Sequence, residues 1–419
     1  MTDVLDLADR LWRGEVDTSE HHPLRHLGEI AVVRDDTGFV ASFANVSAFD
    51  TPDGLLLVDT GSSLLSGAAR DTLRSWTDRS VHTVVYTHGH IDHCFGVERY
   101  EEENRERRLS APHVVAHAAV PARFDRYKET AGYNGAINRR QFGIDSFEWP
   151  VDYRYPDETY RDRLDIEVGG EHFELHHARG ETDDHTWVFV PGRRVLCTGD
   201  LFIWASPNCG NPQKVQRYPK EWAAALRTMA ELDAETLLPG HGLPIVGADR
   251  VHQALTETAA LLEHLFNETL AMMNAGATLD DIVHTVEAPS QLLERPYLRP
   301  VYDEPEFIVR NLWRLYGGWY DGNPSRLKPA ADSAIAREVA TLAGGATALA
   351  DRARQVAEEG DLRLAAHLVE WASAAAPDDA TIHEARANIY RCRRDSESST
   401  MSKGVFGAAA RESKDKAGA

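Results

Sequence analysis

Cysteine is scarce: four in 419 residues, at Cys94, Cys197, Cys209 and Cys392, with no C-x-x-C spacing. That excludes a disulfide framework and suits a reducing cytoplasm. Positive charge is also short, with 45 Lys+Arg against 66 Asp+Glu and a formal net charge of −21. This argues against a generic nucleic-acid or anionic-membrane surface. An anionic substrate would need a local positive field, for which bound metal ions are a ready source. Long apolar runs are missing, none approaching the ~18 residues of a membrane helix. The start, Met1 to Arg10, has neither a basic segment nor an apolar core, so no signal peptide is expected. What remains is globular, 42% hydrophobic and 26% charged, and long enough for two domains.

Residues 1 to about 35 are polar and are expected to wrap the first domain. Phe39–Phe49 alternates as one strand, a Thr51-Pro52-Asp53-Gly54 turn follows, and Leu55–Val58 is a second strand ending in Asp59. A helix over about Leu64–Thr77 and a strand at Val81–Tyr86 complete a layered ββαβα opening. Residues 121–150, rich in Arg, Tyr and Asn, read either as an excursion roofing a pocket or as a solvated helical insert. Strands resume at 165–168, 173–176, 187–190 and 194–197, with polar loops at Ala178–His185, Thr198–Asp200 and Pro239–Gly242. Helices are expected at Ala248–Asn274, 279–286 and 304–319, then alanine-rich hairpins from Ser333 to Tyr390.

The centre of the chain is Thr87-His88-Gly89-His90-Ile91-Asp92-His93, on a turn between a β-branched strand and a charged, helix-permissive segment. Three imidazoles and a carboxylate within six positions gather metal. Glu181, His185, Asp200 and His241 stand on loops after later strands, and Asp59 on the loop before. Polar residues at strand ends are how α/β layers build sites.

The order Asp59, His88/His90/Asp92/His93, a ligand after Gly180, Gly199-Asp200 and Gly240-His241 resembles the metallo-β-lactamase fold superfamily over about residues 39–245. That implies an α/β fold, an αββα sandwich, with a dinuclear metal site. Where the common hydrolases place a histidine, this chain has Glu181 in Ala178-Arg179-Gly180-Glu181-Thr182. The carboxylate is similar to the alkyl sulfatase branch. So is Gly317-Gly318-Trp319-Tyr320-Asp321-Gly322-Asn323-Pro324, and residues 333–395 resemble that branch's dimerisation domain, an all-α helical-hairpin domain. The branch's C-terminal lipid-binding-like domain is not recognised here.

The resemblance implies that His88, His90 and Glu181 hold one metal, that Asp92, His93 and His241 hold the other, and that Asp200 bridges. Asp92 and Asp200 are the expected catalytic carboxylates, around a metal-bridging hydroxide. Asp59 and His185 are expected to support the ligands by hydrogen bonds. Arg217, with Asn208 and Asn211, is the first candidate for substrate binding, and Tyr316, Arg179, Arg139, Arg140 and Tyr133 are weaker ones; a guanidinium fork suits a sulfate.

The resulting expectation is a cytoplasmic homodimeric hydrolase of an alkyl sulfate or related anionic ester. It would use two divalent ions, zinc first and manganese or iron as alternatives, with no nucleic-acid or membrane partner. A lactone, thioester or phosphoester hydrolase is the alternative, and a diiron redox enzyme is a further one. The expected layout is a catalytic domain at 1–247, a helical extension at 248–332, the dimerisation-like domain at 333–395 and a disordered tail at 396–419.

Overall fold

The computed structural model describes residues 3–418. The chain divides into two units, Met1–Ala131 with Trp149–Gly318, and Gly132–Glu148 with Trp319–Ala419.

The first unit contains two sheets. In one, β1 (Glu29–Arg34), β2 (Thr37–Ala41), β3 (Val46–Thr51), β4 (Gly54–Val58), β5 (Val81–Val85), β6 (His113–His117) and β7 (Glu158–Tyr160) lie in sequence order. Strands β1 to β4 pair antiparallel through short turns, and β4 to β7 run parallel. The parallel pairs need crossovers, which the helices Ser66–Arg74 and Val97–Glu106 supply for β4–β5 and β5–β6, while the helix Val120–Glu129 lies on the β6–β7 connection. The other sheet contains β8 (Arg163–Val168), β9 (Glu171–Ala178), β10 (His185–Val190), β11 (Val195–Gly199), β12 (Thr236–Pro239) and β13 (Ile245–Val246), again in order. Only β11 and β12 are parallel there, joined through the helix Pro219–Ala230.

The sheets share one core. Phe39, Phe49, Leu56 and Val85 from the first join Phe173, Leu175, Val188 and Leu196 from the second. The rings of Phe49 and Phe173 meet edge to face at 5.4 Å. At about 25 cal/mol per Å² of apolar area, side chains this fully buried contribute about 2 kcal/mol each. The helices Pro219–Ala230, Ala248–Asn274 and Pro305–Tyr316 pack together against the second sheet, completing the αββα sandwich.

Several sequence expectations change here. The N-terminal segment is an element of the sandwich: Val4, Leu7, Ala8 and Leu11 recur at helical spacing on the helix Val4–Trp12 and are buried, and β1 follows. Phe39–Phe49 is two strands with a turn, because Asn45 bonds back to Ser42. The boundary expected at 247 falls at Gly318, because the helices after it bury Leu255, Leu262, Ile308 and Leu312 in the same core as the sheets. Residues 121–150 divide. The helix Val120–Glu129 buries Arg123, Phe124 and Tyr127 in the first unit, and most of Ala131–Phe142 belongs to the second.

The second unit is helical, with Asp332–Leu342, Ala346–Glu358, Leu362–Ala375, Ala380–Ser396 and Thr400–Gly418. Alanines dominate its cores because small side chains let neighbouring helices approach closely, as at Ala353, Ala365 and Ala385. The tail expected to be disordered is the last of these helices: Met401, Ser402, Gly407 and Ser413 are buried. A Cβ on Gly404 would stand 2.0 Å from the carbonyl oxygen of Gln141, so the fit requires glycine. No helix among the described residues is long and apolar enough to cross a membrane.

Candidate metal centre

Two parallel pairs, β4 with β5 in the first sheet and β11 with β12 in the second, carry the centre at their C-terminal ends. Asp59 follows β4, the histidine turn follows β5, Asp200 follows β11 and His241 follows β12. Open α/β sheets present ligands at that edge. Glu181 comes from the β9–β10 loop. The loops fit without slack: a Cβ on Gly240 would lie 2.1 Å from Asp200 Oδ1.

Two groups of ligand atoms converge, His88/His90/Glu181/Asp200 and Asp92/His93/His241, with the atoms of each group within 4.8 Å of one another. Glu181 Oε2 is 3.3 Å from both His88 Nε2 and His90 Nδ1. His241 Nε2 is 3.4 Å from both Asp92 Oδ2 and Asp200 Oδ2, and His93 Nε2 is 3.3 Å from Asp200 Oδ1. Asp200 thus stands between the groups.

Several candidate ligands are held from behind, which selects the atom left facing inward. His93 Nδ1 donates to Asp59 Oδ2 (2.8 Å), and Asp59 also accepts from the Thr87 N–H and hydroxyl, 2.7 Å each. His241 Nδ1 donates to the carbonyl of Phe43. Asn45 tethers that loop through the carbonyls of Pro239 and Gly242, 3.0 Å each. Asp184 accepts from the Gly89 N–H (3.1 Å) and from Arg123 Nε (2.7 Å), tying the histidine turn to the Glu181 loop. His185 stacks on His88 at 4.8 Å, and its Nε2 accepts the Asp200 N–H.

The residues fit divalent metal. Glu181 Oε2, His93 Nε2 and Asp200 Oδ1 are buried without a hydrogen-bond partner, although each belongs to a side chain whose placement is fixed. Buried polar atoms are rarely left so unless an ion satisfies them. Imidazole and carboxylate donors suit zinc, iron or manganese.

The electrostatics agree. Burial opposes charge on His93, but Asp200, Asp59 and Asp92 outweigh it and push its pKa well up. His241 is likewise raised to about 10, with Asp200 and Asp92 overcoming burial. Burial favours the neutral acid of Glu181, yet Arg217 and His90 hold it ionised, and His241 and His93 do the same for Asp200. Burial and the neighbouring His88 keep His185 neutral, as its acceptor role requires.

Arg217 and Asn208, expected on substrate, are turned toward Glu181. Arg217 Nη1 is 2.5 Å from Glu181 Oε1, and Asn208 Nδ2 donates to the same oxygen. Tyr316 is exposed, with its ring against Phe266. Arg179 lies over the Tyr218 ring; Tyr133, Arg139 and Arg140 are on the helix of the second unit. Asn211 is buried and accepts the Gln213 N–H. Cys94 is buried and donates to the His90 carbonyl. Sequence reasoning missed Arg123, Asp184 and Asn45, whose partners lie far along the chain. It also missed Lys214, half-buried over the Trp149 ring at 5.2 Å. Burial and Arg217 push Lys214 down to about 8, while Asp92 and Glu181 favour its charge.

Residues 40–241, which include all seven candidate ligands, match the sequence model of the metallo-beta-lactamase superfamily. Residues 278–416 match the alkyl sulfatase dimerisation model, a wider span than the 333–395 expected. A linear primary-alkylsulfatase of Pseudomonas sp. is 27% identical over 364 residues, covering 82% of this chain and 69% of its own. An alkyl/aryl-sulfatase of Saccharomyces cerevisiae is 25% identical, covering 82% and 56%. An (R)-specific secondary-alkylsulfatase of Pseudomonas sp. is 25% identical, covering 78% and 53%. The chain thus spans only about half to two thirds of the length of these relatives. The structure of a stereoselective inverting sec-alkylsulfatase of Pseudomonas sp. superposes with a TM-score of 0.81 at 23% identity, covering 93% of this chain and 66% of its own. The two matched segments, in this order on this sandwich, make the chain similar to the metallo-β-lactamase superfamily in its first part and to the alkyl sulfatase dimerisation family in its second.

Proposed function

We propose that the chain is a metal-dependent hydrolase of sulfate esters. The observation that carries this is the pair of convergent ligand groups, whose inward atoms include buried ones with no other partner. His88, His90 and Glu181 would hold one divalent cation and Asp92, His93 and His241 a second, with Asp200 shared; zinc is the first choice. When bound, such cations acidify water and stabilise negative charge developing on the ester.

The chain's own residues do the rest. Asp59 and the Phe43 carbonyl fix the tautomers of His93 and His241. Arg217 and Asn208 hold Glu181 ionised and aimed. Asp92 and His90 are the cluster's more open side chains, 21% and 16% exposed, so an ester approaches from that side. Lys214 supplies positive charge there for the sulfate.

The test is metal analysis of protein purified without added zinc, then sulfate release from short and long alkyl sulfates and aryl sulfates, with lactones and phosphodiesters alongside. Stoichiometric iron with oxygen consumption and no sulfate release would sink the proposal. The reading includes a homodimer formed through the helical unit. Leu364 and Trp371 lie seven residues apart on one helix and are 46% and 37% exposed. Leu364→Glu with Trp371→Glu should yield monomers by light scattering; an unchanged dimer would refute this surface. A cytoplasmic setting is the final part, supported by the four free cysteines.

A further inference from the structure

A cavity of about 310 Å³ is lined in part by Glu181. It is lined by more positive than negative charge, on a chain whose net charge is −21. Three of its charged groups, Arg123, Asp183 and Glu181, are already neutralised. Arg123 pairs with Asp183 and Asp184, and Glu181 pairs with Arg217. Two guanidiniums remain. Arg126 lies over the Tyr127 ring at 5.3 Å. Arg314 donates to Gln216 at 3.1 Å from both Nε and Nη2, with the amide oxygen turned toward it. Neither makes a salt bridge to a carboxylate among the described residues. Arg126 comes from the helix Val120–Glu129 and Arg314 from the helix Pro305–Tyr316, and Tyr218 also lines the cavity.

Guanidiniums that face one cavity without a carboxylate partner are free to take an oxyanion, which their planar forks match. The field extends toward the centre: both Arg217 and Arg126 disfavour the charge on Lys214. The volume holds about ten water-sized groups at ~30 Å³ each. That is enough for a short chain, and the mostly charged and polar lining suits a polar one over a detergent tail.

We propose that this cavity is a subsite for a second oxyanion, and that the substrate is a short sulfate ester whose alcohol part carries a carboxylate or a further sulfate. Arg126 and Arg314 bind that distal group while the ester lies at the metal centre, which shares Glu181 with the cavity. The inference rests on the sulfate-ester reading above.

The experiment compares butyl sulfate, octyl sulfate, 4-sulfooxybutanoate and butane-1,4-diyl disulfate on the metal-loaded protein. Wild type should favour the two dianions over butyl sulfate by about tenfold in kcat/KM, mainly through KM. Arg126→Gln with Arg314→Gln should abolish that preference, losing about tenfold more on the dianions than on butyl sulfate. The carboxylate and disulfate arms show which distal group fits. Arg314 is exposed, so Arg314→Gln alone keeps the fold and should show part of the loss if the double variant fails to express. Dianions no better than butyl sulfate, a preference that survives the double substitution, or octyl sulfate as the best substrate would each overturn the proposal. Should no ester release sulfate, the hydrolase reading fails by itself, and calorimetric titration with glutarate decides the cavity. Binding by wild type that the variant loses supports the subsite, and no binding by wild type refutes it.

Discussion

Replacing Arg217 by methionine removes the cation that holds Glu181. Both side chains are at most 4% exposed, with Nη1 2.5 Å from Glu181 Oε1 and 3.1 Å from the Glu181 carbonyl. A hydrogen bond to a charged group contributes about 1.5–3 kcal/mol and a neutral one about 1 kcal/mol. Stripping one partner from a buried pair costs about 3–5 kcal/mol, because the other charge stays buried alone. The Arg217 backbone is pinned separately by Asn311, at 2.9 and 3.0 Å, so the change stays local. Metal-free R217M should therefore unfold in urea about 3–4 kcal/mol more easily than wild type at pH 7. With saturating zinc the deficit should shrink, because a bound cation then neutralises Glu181. Zinc affinity should fall about 10- to 100-fold, the usual cost of losing a group that holds a ligand. A metal-free loss under 1 kcal/mol, or a loss that zinc leaves unchanged, would refute the assignment of Arg217 to Glu181.

Glu181→Ala should bind about one fewer equivalent of metal by mass spectrometry and lose nearly all sulfate release; full metal content would remove Glu181 from the ligand set. Asp303 gives a pH prediction. Burial pushes its carboxyl up to about 7 from an ordinary 3.8, although the Gly210 and Glu304 N–H groups donate to it. An acid raised on folding is ionised first in the unfolded chain, so stability should fall as pH rises from about 4 to about 7, by up to ~4 kcal/mol. Asp303→Asn should flatten that slope in urea titrations at several pH values, and an unchanged slope would assign it elsewhere.

The cluster was legible because its signals are local. The histidine turn is contiguous, and Asp59, Asp200 and His241 each follow a short apolar run that becomes a strand. The helix Ala248–Asn274 was legible to the residue, since its leucines from Leu255 to Leu270 recur at helical spacing over about four turns. What holds the ligands was not. Asn45 reaches Pro239 and Gly242 across 194 and 197 positions, and Asp184 reaches Gly89 across 95. No spacing rule connects such pairs. Arg217 was visible as a cation near the site, but a sequence does not show that Glu181 takes its guanidinium before a substrate can. The C-terminal helix was missed for another reason. Small residues such as Gly404 and Gly407 read as disorder by composition, and here they permit close contact.

The raised imidazoles lead to one more test. Asp92, Glu181, Asp200 and Asp59 outnumber Arg217, the cation paired with Glu181, so the metal-free centre carries excess negative charge. Protons on His93 and His241 offset part of it, which is why both are pushed up, His241 to about 10. Two dications would take over that role and turn the local balance positive, a field suited to a sulfate ester on an otherwise acidic chain. The imidazolium protons must then leave as metal enters. Zinc uptake at pH 7 should release about two protons, read from the dependence of the calorimetric heat on buffer ionisation. Affinity should rise with pH by up to about 100-fold per unit, tenfold for each proton displaced below its pKa. Uptake without proton release at pH 7, or affinity independent of pH between 6 and 7.5, would mean that His93 and His241 are already neutral and that the charge balance lies elsewhere.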